Sequence, residues 1–251
     1  MNMVLVQISE VDCWGAVVIT GRRCDHINKI LRLKVGDSFK IGVLDGRSGI
    51  AEITEISGAS VKACCSFNAE PSDLVRIDVI LAMPRPKVMK RLWAPLAMLG
   101  IGRIFIINAD KVEKYYFDTH VLDVDFYESR LVDGLEQSCR TVMPKVSIGR
   151  TVTPDSAAFF TQFAEYRKVL AMPASVKQLD AVRSYEKLVI AIGPEGGWTD
   201  RELNQFAGHG FETISLGPTP LKVDVAAISL ISVAAAMPDS SVGIESCIRD
   251  S

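Results

Sequence analysis

Short apolar and β-branched runs, separated by polar turns, occupy the first seventy residues of the chain. Such runs indicate strands, and they fall at residues 16–20, 39–44, 50–56 and 61–67. Asp45 and Gly46, which stand between the second and third runs, are a strong signal for a hairpin turn. This density of short strands predicts a small β-barrel.

One helix is expected to interrupt these strands. Asp25 is a candidate N-cap, because an aspartate side chain can accept a hydrogen bond from the backbone of the first turn. Three apolar residues after it would share one face of a helix: Ile27, Ile30 and Leu31. The pattern therefore predicts a short amphipathic helix that begins at Asp25.

The pattern changes near residues 69–73, beyond which strands alternate with helices. The predicted strands are residues 76–83, 103–108, 187–192 and 212–216. The predicted helices are residues 87–99, 123–140, 199–206 and 225–236. Alternation of this kind predicts an α/β fold with a parallel sheet and helices on both faces.

Two glycine–proline turns follow predicted strands in this second region. Gly193 and Pro194 come directly after the strand at 187–192, and Gly217 and Pro218 follow the strand at 212–216. Glycine lets the backbone lie close to a ligand, and proline stiffens the turn. Ligands of parallel sheets bind at the carboxyl ends of strands, so the two turns predict one pocket made mostly of main chain. Neither turn has the glycine spacing of a phosphate loop or of a dinucleotide fold.

Composition is that of an ordinary globular protein, with 48% hydrophobic and 23% charged residues in 251. The six cysteines form no C-x-x-C pair and the three histidines are scattered, which predicts reduced thiols, no metal site and a cytoplasmic location. The N-terminus lacks the pattern of a signal peptide. The longest apolar run, at 225–237, is too short to span a bilayer, so no membrane contact is expected.

Positive charge is concentrated in one short segment, although the net charge of the chain is −2. Residues 76–114 carry eight basic and three acidic side chains, and the centre of this segment holds Arg85, Lys87, Lys90 and Arg91. A local basic patch can recruit a phosphate backbone whatever the total charge. A solvated helix face explains the same pattern equally well on residue composition alone.

Several motifs resemble those of a known family. The turn at 192–197, the turn at 216–218 and the run at 221–224 are similar to the C-terminal half of the SPOUT methyltransferases, and more narrowly to the RsmE type. Three further stretches agree with the RsmE type, at residues 26–32, 99–101 and 136–140. The resemblance covers nearly the whole chain, from about residue 26 to residue 236.

The resemblance implies both a fold and an activity. The fold would be a PUA-like, RNA-binding β-barrel at residues 1–70, a SPOUT α/β domain with a deep trefoil knot at 73–240, and a mobile tail at 241–251. The activity would be transfer of a methyl group from S-adenosylmethionine, with S-adenosylhomocysteine as product, to uracil N3 in small-subunit ribosomal RNA. The implied partners are that RNA or the assembled small subunit, and a second copy of the chain in a homodimer.

The same resemblance assigns roles to particular residues. The expected cofactor-binding residues are Ile192, Gly193, Pro194, Glu195, Gly196, Gly197, Leu216, Gly217, Pro218, Leu221, Lys222 and Val223. Lys222 and Arg140 are candidates to stabilise charge on the uracil oxygens, and Asp224 or Glu195 to accept the N3 proton. The expected RNA-binding residues are Arg32, Arg85, Lys87, Lys90 and Arg91.

Departures from the family pattern keep other interpretations open. The family usually has Arg at the positions of Thr219 and Lys222, Glu at that of Asp224, and Gly at that of Cys139. These changes are compatible with an RNA-binding protein of the same fold that has lost catalysis. Ribose 2′-oxygen methylation is a second alternative, and a nucleotide-binding α/β protein that merely shares a glycine turn is a third.

Three residues near the turns also have structural interpretations. Thr199 and Glu202 fit a capping box, in which each side chain bonds the backbone of the other residue. Asp224 is as well suited to be the N-cap of the helix at 225–236 as to contact a substrate. Trp198 is more typical of a core residue than of a base-stacking platform.

Overall fold

The computed structural model describes residues 1–72, 74–173, 175 and 187–236. The chain divides into two compact units. The first unit comprises Met1–Leu74, Trp93–Gly100 and Asp125–Pro144, and the second comprises Val75–Leu92, Ile101–Val124 and Lys145–Ser251. The three-part domain division at residues 70, 73 and 240 stays a prediction, and the expected tail at 241–251 lies outside the described residues.

The first unit contains a five-stranded sheet with the order β1-β3-β4-β5-β2. Its strands are β1 (Val4–Val6), β2 (Ala16–Thr20), β3 (Ser38–Val43), β4 (Ser48–Ser57) and β5 (Ser60–Ala69). Strands β1 and β3 are parallel, and the other pairs are antiparallel. The four predicted strands and the turn at Asp45 are confirmed, and Asp45 adopts the positive φ of 57° that this turn requires. The sheet fits a PUA-like barrel.

The prediction of a helix that begins at Asp25 is wrong about where the helix starts and about which residues share its buried face. An α-helical segment, α1 (Gly21–Asp25), comes first, and Asp25 is its last residue. A π-helical segment follows at His26–Leu31, and its wider turn breaks the periodicity on which the prediction depended. Ile27 is buried, but Ile30 is 68% exposed.

Hydrogen bonds of Glu136, a residue of helix α3 (Val124–Ser138), connect this helix to the first strand and the residues just before it. Its backbone carbonyl accepts hydrogen bonds from the amides of Asn2 and Met3, both at 3.0 Å. Its buried carboxylate accepts from the amide of Leu5 and from Nη2 of Arg22, at 3.3 and 2.9 Å. Burial raises the pKa of Glu136 in spite of Arg22. The glutamate of the 136–140 motif therefore has a structural role here.

The second unit is an α/β fold built on a six-stranded parallel sheet with the order β11-β9-β10-β6-β7-β8. The strands are β6 (Val75–Ala82), β7 (Ile101–Ile107), β8 (Lys145–Gly149), β9 (Arg167–Ala171), β10 (Leu188–Ile192) and β11 (Glu212–Ile214). The other α-helices of the described residues are α2 (Pro86–Met98), which belongs to the first unit from Trp93 onward, α4 (Ala157–Phe160), α5 (Asp200–Gly208) and α6 (Val223–Ala236). The predicted parallel sheet is confirmed, and β8 and β9 are additional strands.

Strand β10 occupies the centre of this sheet, and all five of its residues are buried. It pairs with β9 on one side and with β6 on the other. The carboxyl ends of β9, β10 and β11 point the same way, because the three strands are parallel. Both glycine–proline turns therefore leave the same edge of the sheet. Within the described residues, no helix is both long and apolar enough to cross a membrane.

Candidate active site

A cavity of about 700 Å³ opens at this edge of the sheet. Its floor includes the last residues of three neighbouring strands, Ala171 of β9, Ile192 of β10 and Ile214 of β11. The volume lies within the range of small-molecule sites, which is about 300–1,000 Å³. The first turn of α6 completes the wall, and two charged side chains come from Arg85, which precedes α2, and Arg91, which lies within it.

The structure places ten of the twelve expected cofactor-binding residues on this cavity. The exceptions are Gly196 and Pro218, which belong to the two turns but not to the cavity lining. Gly196 faces Lys111 instead, whose Nζ donates to the Gly196 carbonyl at 2.9 Å. Neighbouring glycines of one turn therefore have different surroundings.

Gly193 leaves room for the indole of Trp198. A Cβ atom on Gly193 would lie 3.0 Å from Trp198 Nε1 and 3.2 Å from the nearest ring carbon. Trp198 is 8% exposed, as expected of a core residue, and it also lines the cavity. Its Nε1–H is buried and has no hydrogen-bond partner among the described residues. A ligand with an acceptor at this point would satisfy that donor.

The second turn is held by its own serine. Ser215 is 5% exposed, and its Oγ accepts from the amide of Gly217 at 3.0 Å and donates to the Gly217 carbonyl at 2.7 Å. Gly217 has a φ of 137°, which a residue with a side chain rarely adopts. Serine and glycine thus fix the backbone that borders the cavity.

The capping box at the start of α5 is confirmed. The amide of Glu202 donates to the Thr199 hydroxyl at 3.3 Å, and the amide of Thr199 donates to Glu202 Oε2 at 2.8 Å. The other carboxylate oxygen of Glu202 accepts from the amide of Asp110 at 2.8 Å. Glu202 is fully buried. Its hydrogen bonds to backbone amides explain why a carboxylate is buried here, and no catalytic role is needed.

An ion pair between Asp224 and Arg91 stands on the cavity lining. Asp224 Oδ2 accepts from Arg91 Nη2 at 2.6 Å and from Nε at 3.2 Å. These hydrogen bonds hold the pKa of Asp224 below its usual value, so its carboxylate is ionised at neutral pH. The N-cap interpretation of Asp224 is wrong, because α6 begins one residue earlier, at Val223. The Lys222 carbonyl instead accepts the first helical hydrogen bond, from Ala226 at 2.8 Å.

The two other predicted catalytic residues of this unit, Glu195 and Lys222, also line the cavity, and both are exposed. Glu195 Oε1 accepts a hydrogen bond from the backbone amide of Arg85 at 3.0 Å. This bond joins the turn after β10 to the segment that precedes α2. Glu195 therefore holds two loops together, while Lys222 presents a positive charge at the cavity.

Arg140 belongs to the first unit and is not among the residues that line the cavity. A Cβ atom on Gly100 would lie 2.5 Å from its Cζ, so the guanidinium lies directly against this glycine. Among the predicted RNA-binding residues, Arg85 and Arg91 line the cavity. The side chains of Lys87, Lys90 and Arg32 are exposed, the last in the first unit.

Sequence patterns missed the part of the site that comes from β9. Met172 and Pro173, which follow this strand, line the cavity, and the Pro173 carbonyl oxygen lies 3.2 Å from Ser215 Oγ. Strand β9 was not predicted because it begins with two cations, Arg167 and Lys168, which are not typical of a buried strand. In the part of the chain that the structure describes, no cluster of three His, Cys, Asp or Glu residues could hold a metal ion.

Comparisons with known proteins agree with this architecture. The family model described as RNA methyltransferase domain matches residues 70–235. Ribosomal RNA small subunit methyltransferase E of Treponema pallidum is 28% identical over 240 residues, which cover 93% of this chain and 90% of the relative.

Solved structures share the fold over most of the chain. A Legionella pneumophila structure in complex with bound S-adenosylmethionine has a TM-score of 0.74 at 22% identity, over 92% of this chain and 96% of that one. Ribosomal RNA small subunit methyltransferase E from Neisseria gonorrhoeae, bound to S-adenosylmethionine, has a TM-score of 0.72 at 19% identity. This second comparison covers 93% of this chain and 96% of the other.

Proposed function

The chain belongs to the RNA methyltransferase family, and from this premise we propose that it methylates N3 of a uracil in small-subunit ribosomal RNA. The methyl donor would be S-adenosylmethionine. The observation that carries the proposal is one cavity that combines two rigid backbone turns with an ionised carboxylate and a cation, Asp224 and Lys222. The relative from Treponema pallidum carries methylation of small-subunit ribosomal RNA in its name.

The cavity fits the proposed cofactor on three counts. Its volume of about 700 Å³ is that of a small-molecule site. The buried Nε1–H of Trp198, without a partner among the described residues, offers a donor to a polar group of the ligand. Gly193 and Gly217 expose main chain where a side chain would intrude or be strained. The relative from Neisseria gonorrhoeae binds S-adenosylmethionine in the same fold.

The reaction requires the N3 proton to leave while a methyl group arrives. Bound S-adenosylmethionine supplies a methyl group whose bond to sulfur breaks, with its electron pair kept by sulfur, as the bond to N3 forms. Asp224 would accept the N3 proton and later release it to water. Lys222 would stabilise the negative charge that develops on the uracil oxygens. The turns would hold nitrogen, carbon and sulfur in line.

The loss-of-catalysis alternative is disfavoured by the same geometry. Lys222 and Asp224 depart from the usual residues of the family, but both retain the charge and both line the cavity. Thr219 lines it too, without a charge. Incubation with small-subunit RNA and labelled S-adenosylmethionine tests the proposal, because transfer of label to RNA is expected. RNA binding without any transfer would favour the alternative.

We further propose the finer architecture that the resemblance implies. Residues 1–70 would form a PUA-like RNA-binding barrel, and residues 73–240 a SPOUT domain with a trefoil knot. The protein would be cytoplasmic and would work as a homodimer on ribosomal RNA or on the assembled small subunit. Light scattering at micromolar concentration is expected to give the mass of a dimer, and a stable monomer would contradict that part.

The exposed lysines of α2 are expected to act through RNA phosphates. Replacing Lys87 and Lys90 together with alanine should weaken RNA binding and flatten its dependence on salt. Each lost phosphate contact lowers the slope of log K against log[salt] by about 0.7–0.9. Binding isotherms at several salt concentrations measure the slope. An unchanged slope in the double variant would show that these cations do not contact phosphate.

A further inference from the structure

The pairing of Arg91 with Asp224 places a hydrogen-bond donor beside an acceptor on the wall of the cavity. Asp224 Oδ2 is held by the Nε and Nη2 atoms of Arg91, and Oδ1 lies 3.2 Å from the amide of Val225. The side chain of Asp224 is 17% exposed, so the carboxylate is sheltered but still reachable. Two nitrogens of the planar guanidinium bind the same carboxylate oxygen and hold Arg91 beside Asp224.

Arg91 keeps donors for a further partner. Its side chain is 51% exposed, and its Nη1 donates to no protein atom among the residues that the structure describes. A guanidinium carries five N–H groups in a rigid fork, so an acceptor can bind at the edge that Asp224 leaves open. The wall therefore offers a donor edge next to a carboxylate acceptor.

That order of groups matches one edge of uracil. Uracil presents a carbonyl oxygen, the N3–H donor and a second carbonyl oxygen in sequence. We propose that the Arg91–Asp224 pair selects uracil over cytosine, with Asp224 accepting from N3–H and Arg91 donating to the O4 carbonyl oxygen. This inference rests on the proposed function and identifies how the same site reads its base.

Cytosine differs from uracil at positions 3 and 4 of this edge, whereas its O2 carbonyl is the same. Its N3 is an acceptor and would face the carboxylate, and its exocyclic amine is a donor and would face the guanidinium. An acceptor would then face an acceptor at Asp224, and a donor would face a donor at Arg91, so both hydrogen bonds would be lost. Polar groups that a ligand covers without pairing them disfavour that ligand strongly. Arg91, which its place in the basic stretch indicated as a phosphate contact, becomes a specificity-determining residue instead.

Lysine at position 91 cannot serve the same purpose. An ammonium is a point charge, whereas the guanidinium reaches the carboxylate and the base with separate edges. We expect Arg91→Lys to keep the attraction for RNA but to lose the part of the base preference that the guanidinium provides. The Arg91→Lys variant therefore separates recognition of the base from electrostatic attraction for the RNA.

The test compares two RNA oligonucleotides bound to the protein loaded with S-adenosylhomocysteine. One carries the uridine that the protein methylates, located beforehand by mass spectrometry, and the other carries cytidine at that position. The wild-type protein is expected to prefer the uridine form by roughly tenfold to a hundredfold, the discrimination of one good bidentate base contact. In Arg91→Ala the preference should fall several-fold, and the part that remains belongs to Asp224, which still accepts from N3–H. Arg91→Lys should behave similarly.

Lys87→Ala is the matched control, because Lys87 is an exposed cation of the same helix and does not line the cavity. It should weaken binding of both oligonucleotides by the same factor and leave the preference intact. An Arg91→Ala protein that keeps the wild-type preference, with an unchanged melting temperature, would overturn the inference. If wild-type protein methylates no uridine at all, the proposed function fails instead, so the two failures are distinguishable.

Discussion

Replacement of Gly193 by valine is expected to lower the affinity for S-adenosylhomocysteine at least about a hundredfold, which is a loss of about 2.7 kcal/mol. A Cβ atom at this position already lies 3.0 Å from Trp198 Nε1, and the two methyl groups of valine extend further. The indole must move, and it lines the cavity that would hold the ligand. Isothermal titration calorimetry of the wild-type and variant proteins measures the change.

Gly196→Val is the matched control within the same turn. Gly196 does not line the cavity. A Cβ atom there would lie 3.0 Å from Lys111 Cδ, which can rotate away, and 3.2 Å from Lys111 Cβ, which must shift by a few tenths of an ångström. Its affinity should stay within a few-fold of the wild-type value, and melting temperatures check that both variants fold. Equal losses in the two folded variants would show that the ligand does not bind beside Gly193.

Asp224→Asn is expected to reduce the rate of methyl transfer by about 10²–10⁴-fold, the usual contribution of a general base. An amide of the same shape cannot accept the N3 proton, and it also loses the charge that pairs with Arg91. The affinity for S-adenosylhomocysteine should change little, because the two glycine–proline turns are unaltered. Initial rates with labelled S-adenosylmethionine and small-subunit RNA measure the loss.

Glu195→Gln distinguishes the two carboxylates proposed to accept the proton. Glu195 accepts from the backbone amide of Arg85, and a glutamine oxygen can accept the same hydrogen bond. The loop contact should survive, so we expect a rate within about tenfold of the wild type. The opposite order, a severe loss in Glu195→Gln and a mild one in Asp224→Asn, would assign the proton to Glu195.

Strong local patterns made the sheet and the turns of the second unit predictable. The strand Leu188–Ile192 is buried along its whole length, and a continuous apolar run is the signature of such a strand. Gly193 and Gly217 follow strands directly, so their place at one edge of a parallel sheet could be inferred from order alone. Both indeed border the same cavity.

The charged wall of the cavity was not predictable from local pattern. Arg91 and Asp224 are 133 residues apart, and no periodicity links them. Strand β9 was missed for a related reason, because Arg167 is paired with Glu212, 45 residues away. Only the folded chain shows that such charges are matched, whereas in the sequence they indicate an exposed segment.

The sequence also did not predict which glycine of the first turn faces the cavity. Gly193 and Gly196 are equally plausible as cavity residues, since both are glycines of one tight turn. The structure separates them, because Gly193 faces Trp198 and Gly196 faces Lys111. Side-chain direction in irregular backbone depends on φ and ψ at each residue, and residue type leaves these undetermined for glycine.

The position of the methyl group tests the account most directly. Small-subunit RNA is incubated with the protein and S-adenosylmethionine, digested to nucleosides, and analysed by mass spectrometry with fragmentation between base and sugar. The proposed pairing of Asp224 with a uracil N3–H predicts that the added mass stays with the uracil base and that the nucleoside matches an N3-methyluridine standard. Added mass on the ribose would contradict base methylation at this site, although the fold and the cofactor cavity would stand.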